Sequence, residues 1–276
     1  MTHQEDHFTG TAGGRIYWQA WLPQDNPSGV VVIAHGLAEH SGRYAHVAER
    51  LAADGYATYA ADHRGHGRSE GNRSNVNRIA EVVADLDTMI AEAAQRHPGR
   101  PVFLLGHSMG GLIALEYALG NPSRLTGLVL SAPLVRSGVV SSVERAAAKL
   151  FSAVLPNLGV KALDASMVSR DPAVVKAYDE DPLNYRGKIP ARTATELLST
   201  MDAFPERIPR LRLPLLMLQG TEDKLVDPAG AAYVAEHAGS EDLTYQKYPG
   251  LYHEVMNEPE QDTVIGDLLT WLRERT

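Results

Sequence analysis

The sequence predicts a three-layer α/β fold: a mostly parallel central sheet with helices on both faces and an inserted helical cap. Three observations predict it. Short continuous apolar runs such as Val30-Val31-Val32-Ile33-Ala34 suit strands buried on both faces. Such runs alternate with helical segments over the first 133 residues, the rhythm of a parallel sheet. Then roughly 75 residues, 134–210, carry no clear strand, too long a stretch to be a structureless loop. The expected division is a body of residues 1–133 and 211–276 and a cap of residues 134–210.

Each element follows in order. Residues 1–14 read as a frayed start. Arg15 to Leu22 is aromatic and partly alternating, so it reads as a strand, and Pro23 to Pro27 as a turn. After the Val30 run comes a loop, His35 to Gly42. A helix from about Tyr44 to Ala53 puts Val47 and Leu51 on one face, and Gly55 ends it. Ala57 to Ala61 is the next strand, followed by the loop Asp62 to Ser69. Ile79, Val82, Val83, Leu86, Met89, Ile90 and Ala93 recur at three- and four-residue steps, the clearest helical period in the chain. Pro101 to Leu105 and Leu125 to Leu130 are strands. Within the cap, Val143 to Leu155 and Ala194 to Met201 read as helices. The sheet resumes at Leu213 to Gln219. Asp227 and Pro228 are N-cap and first residue of a helix running to about His237. Leu243 to Tyr248 alternates as a strand, and Val264, Ile265, Leu268, Leu269 and Leu272 mark a final amphipathic helix.

The bulk properties narrow the function. Of 276 residues, 44% are hydrophobic and 22% charged, the balance of a globular enzyme. The net charge is −8 and the basic residues are scattered, which argues against nucleic acid as a partner. With no cysteine there is neither disulfide nor thiolate chemistry. The polar start M-T-H-Q-E-D-H-F lacks an apolar signal core, and no apolar run approaches the length of about 18 residues that spans a bilayer. The expected location is cytoplasmic, with peripheral membrane contact left open.

The chemistry centres on Gly106-His107-Ser108-Met109-Gly110. A strand precedes this G-x-S-x-G string and a helix former follows it. That context turns a weak motif into a sharp turn that lifts Ser108 off the sheet end, with small residues needed on either side. A serine hydroxyl needs a base, and the base an orienting acceptor. On later strand-end loops the chain supplies Asp223 and His253, in the order such folds use. His237 falls inside a helix and reads as a surface residue; Glu222 neighbours Asp223 with similar reach; Asp227 is explained by capping. The two oxyanion donors expected are the backbone N–H groups of Met109 and Leu37. His35, His40, His63 and His66 have no carboxylate or cysteine at a familiar metal-site spacing, so no metal or other cofactor is expected.

The strings H-G-L-A-E-H-S-G-R-Y (35–44), D-H-R-G-H-G-R-S (62–69), G-H-S-M-G-G (106–111), G-T-E-D (220–223) and Y-H-E (252–254) occur in order across nearly the whole chain. Together they resemble the monoacylglycerol lipase (monoglyceride lipase) family of α/β-hydrolases. That resemblance implies a serine hydrolase that splits a fatty-acyl chain from glycerol beneath an apolar cap able to rest on lipid. The match is weakest across the cap. Some family members carry a histidine three residues after the catalytic one, where this chain has Met256. Glu39 and Arg43 could meet the glycerol hydroxyls or brace the loop as an ion pair; bracing is favoured. Leu150, Phe151 and Leu155 could line the acyl site, pack the cap onto the body, or face lipid. The alternatives are a general carboxylesterase or lysophospholipase with the same triad, and a non-catalytic lipid-binding protein. The expected assembly is a monomer or a homodimer.

Overall fold

The fold comes from a computed structural model that describes residues 1–136 and 155–276. Its centre is an eight-stranded sheet. The strands are β1 (Thr2–Thr9), β2 (Arg15–Leu22), β3 (Gly29–Ala34), β4 (Tyr56–Ala61), β5 (Val102–His107), β6 (Gly127–Ser131), β9 (Leu215–Gly220) and β10 (Leu243–Tyr248), in the spatial order β1-β2-β4-β3-β5-β6-β9-β10. From β4 to β10 every pairing is parallel; only β1–β2 and β2–β4 are antiparallel. Alternate residues divide between two apolar layers. Val30, Val32, Leu104, Leu128 and Met217 face α2 (Ile79–Arg96), α3 (Met109–Gly120) and α6 (Pro228–His237). Val31, Ile33, Phe103, Leu105, Val129 and Leu218 face α1 (Ala45–Ala53) and α7 (Gln261–Arg273). Burial on both faces is why these strands read as unbroken apolar runs.

Two expectations needed correction. The start of the chain is strand β1, paired residue for residue with β2. It is polar and exposed nearly throughout, so backbone pairing forms it and no apolar pattern announces it. The stretch expected to hold no strand contains a small antiparallel pair, β7 (Gly159–Ala162) and β8 (Lys188–Pro190). Between them lies α4 (Pro172–Glu180), and after them α5 (Ala191–Arg207), which includes the expected 194–201 helix. The end of α5 enters the body: Phe204 in its last turn and Ile208 just after it are fully buried in the layer shared with α3. The helix expected from Val143 lies, all but Leu155, outside the described residues. No helix among the described residues is long and apolar enough to cross a membrane.

Candidate active site

The site sits where the parallel strands end, the usual place for ligands in open α/β sheets. Strand β5 stops at His107 and α3 begins at Met109, so a single residue makes the turn. That residue, Ser108, has φ 54° and ψ −118°. A side chain in this region stores on the order of 1–3 kcal/mol, tolerated only where the surroundings enforce it. Here they do. The Ser108 N–H donates to the Ser131 carbonyl at 3.0 Å, and its own carbonyl accepts from Leu134 N–H at 3.0 Å. The flanking glycines are required by contact: a Cβ on Gly106 would lie 2.4 Å from the Gly110 carbonyl oxygen, and one on Gly110 1.9 Å from that of Ala34.

Asp223 follows β9. Its Oδ1 accepts the Leu225 and Val226 N–H groups at 2.9 and 3.0 Å. Its Oδ2 lies 2.8 Å from His253 Nδ1 and accepts a longer bond from Gln219 Nε2. Burial alone would push this carboxyl up, but the imidazole and the two amides outweigh it and hold the group below its ordinary range. An ionised Asp223 fixes the proton of His253 on Nδ1 and leaves Nε2 free to take one. The rivals are placed elsewhere. His237 stacks on Tyr233 at the surface. Glu222 is exposed. Asp227 caps α6 through the Ala229 N–H.

The loop after β3 carries the second oxyanion candidate. Gly36 N–H donates to Glu39 Oε1 at 2.5 Å, so that amide is committed within the loop. Leu37 lines the same cavity as Ser108 and Met109. Met109 is the first residue of α3, where backbone N–H groups have no intrahelical partner. Ala38 turns the loop at φ 65°, and its carbonyl accepts from Tyr185 N–H at 2.9 Å and Tyr178 OH at 3.3 Å. Glu39 also accepts from Tyr44 OH and Arg43, and Arg43 grips Glu254 with both terminal nitrogens. Every oxygen of Glu39 is thus used in bracing.

A cavity of about 360 Å³ joins these parts. Ser108, His253, Leu37 and Met109 line it together. The apolar lining includes Leu134, Met167, Val168, Ile189, Leu197 and Leu225, and the polar lining Glu39, His107, Asp164, Tyr178, Lys224 and Glu254. Of the other expected residues, Arg43 lies behind Glu39 and Glu254, and Leu155 is half exposed and outside the lining. Leu150 and Phe151 lie outside the described residues. Sequence reasoning missed His107, Tyr178 and Glu254. The positions of His107 beside Ser108 and of Glu254 beside His253 were the signals available. Met256 is buried among apolar side chains, so no polar group comes from it.

The clustered histidines serve the body. His35 Nε2 accepts the His63 N–H at 2.9 Å, and its Nδ1–H donates to the Gly36 carbonyl at 2.8 Å, which makes it neutral. Burial pushes His35 well below its ordinary value, His63 down to about 3 and His107 down to about 4. Each is reinforced by a neighbouring imidazole. His40 instead pairs with Asp181 of the cap at 2.8 Å.

A family model described as serine aminopeptidase, S33, matches residues 25–260. The monoacylglycerol lipase of Mycolicibacterium smegmatis is 45% identical over 98% of this chain and 97% of its own. The human monoglyceride lipase is 36% identical over 98% of this chain and 90% of its own. The crystal structure of Paleococcus ferrophilus monoacylglycerol lipase superposes with a TM-score of 0.83 at 31% identity, over the full length of both chains. Matches of this length, joined to the strand-turn-helix at Ser108, show that the chain belongs to the monoacylglycerol lipase family of α/β-hydrolases.

Proposed function

We propose that this protein hydrolyses monoacylglycerols to fatty acid and glycerol through an acyl-Ser108 intermediate. The observation that carries this reading is the cavity, which apolar and polar side chains line together with Ser108 and His253. An acyl chain would lie along Leu134, Met167, Val168, Ile189 and Leu197, while the alcohol would face the polar side. In this mechanism His253 Nε2 takes the Ser108 proton as the hydroxyl attacks the ester carbonyl. Asp223 orients the imidazole and stabilises its charged form. The Leu37 and Met109 N–H groups receive the oxyanion, each donor worth about 10²–10³ in rate. Collapse expels glycerol, which takes the proton back from His253. Water activated by the same base then releases the fatty acid.

The lipase relatives support the substrate class. Because this fold hosts many reactions, the aminopeptidase description of the family model does not set it. The lysophospholipase alternative has less support: Lys224 is the one cation among the described residues lining the cavity, since Arg43 is consumed by two carboxylates. Chain-length preference should be graded, because each buried methylene adds about 0.8 kcal/mol. We place the protein in the cytoplasm, with peripheral membrane contact through the exposed Leu155, Leu158 and Val160 of the cap.

The test is a hydrolysis profile over monoacylglycerols of graded chain length, a diacylglycerol, a triacylglycerol, a lysophospholipid and a short nitrophenyl ester. Preference for monoacylglycerols is the expected result. Cleavage of the short ester alone would leave the triad standing and remove the lipase assignment.

A further inference from the structure

The mechanism above leaves one buried carboxylate beside the base without a task. Glu254 is 5% exposed, and its two oxygens meet the Arg43 fork at 2.6 and 2.7 Å. Asn257 Nδ2 adds a third bond at 2.8 Å. The same guanidinium reaches Glu39 Oε2 at 2.6 Å, and Glu39 Oε1 holds the Gly36 N–H at 2.5 Å. A continuous chain of contacts therefore runs from the residue after His253 to the N–H of Gly36, the residue before Leu37. It joins two loops whose parent strands, β3 and β10, are separated in the sheet by β5, β6 and β9.

Stability gives little reason to keep such a cluster. Burying three charges forfeits their hydration, and apolar side chains of similar volume often do as well. Two carboxylates on one guanidinium also leave a net negative charge under the site. Its geometry is what the reaction can use, because oxyanion donors and base must hold fixed relative positions. We propose that Glu254 is a positioning residue: through Arg43 and Glu39 it fixes the peptide leading to Leu37 relative to the His253 imidazole. The proposal rests on the triad and oxyanion reading given above.

A second consequence is electrostatic. Asp223 after β9 bonds His253 and the His107 ring at the end of β5 lies against it; Glu39, Glu254, Asp164 and Lys224 line the same cavity, and Arg43 sits behind the two glutamates. Removing the Glu254 charge leaves less negative potential around the imidazole and disfavours its protonated form.

Glu254→Gln should lower kcat about 10- to 100-fold with KM within about twofold, less than the loss of a whole oxyanion donor. The acid limb of the kcat/KM profile should move to lower pH. A residue that only supported the fold would reduce Tm and leave kcat of the folded enzyme unchanged; that result overturns the proposal. Should Glu254→Gln fold poorly, Glu39→Gln tests the other end of the chain by the same readouts. The double variant should cost little more than either single one, because both break one chain of contacts; multiplying losses would refute the linkage. Fluorophosphonate labelling of the wild type separates the two readings. No label on Ser108 removes the triad itself, whereas normal labelling with unchanged Glu254→Gln kinetics removes only the role given to Glu254.

Discussion

The body and the segment that crosses over it are held by different forces. Every residue of β3, β5, β6 and β9 is buried, and the apolar layers above and below them fix where each strand ends. Between residues 155 and 190 most side chains are exposed or half-buried. That segment is fastened by polar contacts: His40 to Asp181, Arg170 to Glu258, Tyr185 N–H to the Ala38 carbonyl, and Glu254 N–H to that of Val168. The triad hangs from the first kind of structure, and much of the cavity wall belongs to the second.

The sharpest way to break this division is at the nucleophile. Ser108→Ala should reduce turnover by about 10⁶ with Tm almost unchanged, since alanine occupies the same strained turn and the cap is untouched. Steady-state hydrolysis beside a melting curve checks it, and retained turnover would place catalysis elsewhere. Gly110→Ala tests the body itself. Its Cβ would lie 1.9 Å from the Ala34 carbonyl oxygen, a backbone atom of the central strand, so little soluble folded protein should form. Folded, active Gly110→Ala would mean that β3 and α3 can slide apart.

Acid should strike the body next. His35, His63 and His107 are buried neutral, with folded values well below 6.5, about 3 and about 4. Once unfolded they take up protons near pH 6.5. Below that pH the unfolded chain binds more protons than the native one, so stability falls as pH falls, by up to about 1.4 kcal/mol per unit for each group. Melting curves between pH 7 and 5 should show a steep decline, made shallower by His63→Gln. A flat profile would show that these histidines are not held neutral.

The same contrast explains what could be read from the sequence. Body strands were legible because burial on both faces leaves an apolar run, and the turn at Ser108 because its glycines answer a steric demand. Strand β1 was not, since hydrogen bonding to β2 needs no particular side chain. Helix α4 carried a readable signal: Asp171 and Pro172 repeat the N-cap and first-turn pair of Asp227 and Pro228, and Asp171 accepts from the Ala173 N–H in the same way. Tyr178 is the one buried residue of that helix, so no core-facing stripe backed the pair. Within the candidate site, Ser108 was read from the G-x-S-x-G turn between strand and helix, and Asp223 and His253 from their order on later strand-end loops. Of the Glu254–Arg43–Glu39 link only the Arg43–Glu39 half was legible, because Glu254 lies more than 200 residues from Arg43.

The smallest effect should come from the cap fastening, and it sharpens the comparison most. Asp181 sits partly exposed beside His40, and its carboxyl lies below its ordinary range: burial raises it, but the His40 contact and the Leu183 N–H prevail. Its contribution to stability is complete above an unfolded value of about 3.9 and is lost as pH falls through the lower folded one. Between pH 5 and 7 that contribution should not change on Asp181's account, unlike that of the body histidines. Asp181→Asn keeps an acceptor for Leu183 and loses only the carboxylate that faces His40 Nε2, so the cost should stay under about 1 kcal/mol. Limited proteolysis should then speed up within residues 155–190 while Tm barely moves. A large fall in Tm would show that the cap and the body unfold as one unit, and the division drawn between them would fail.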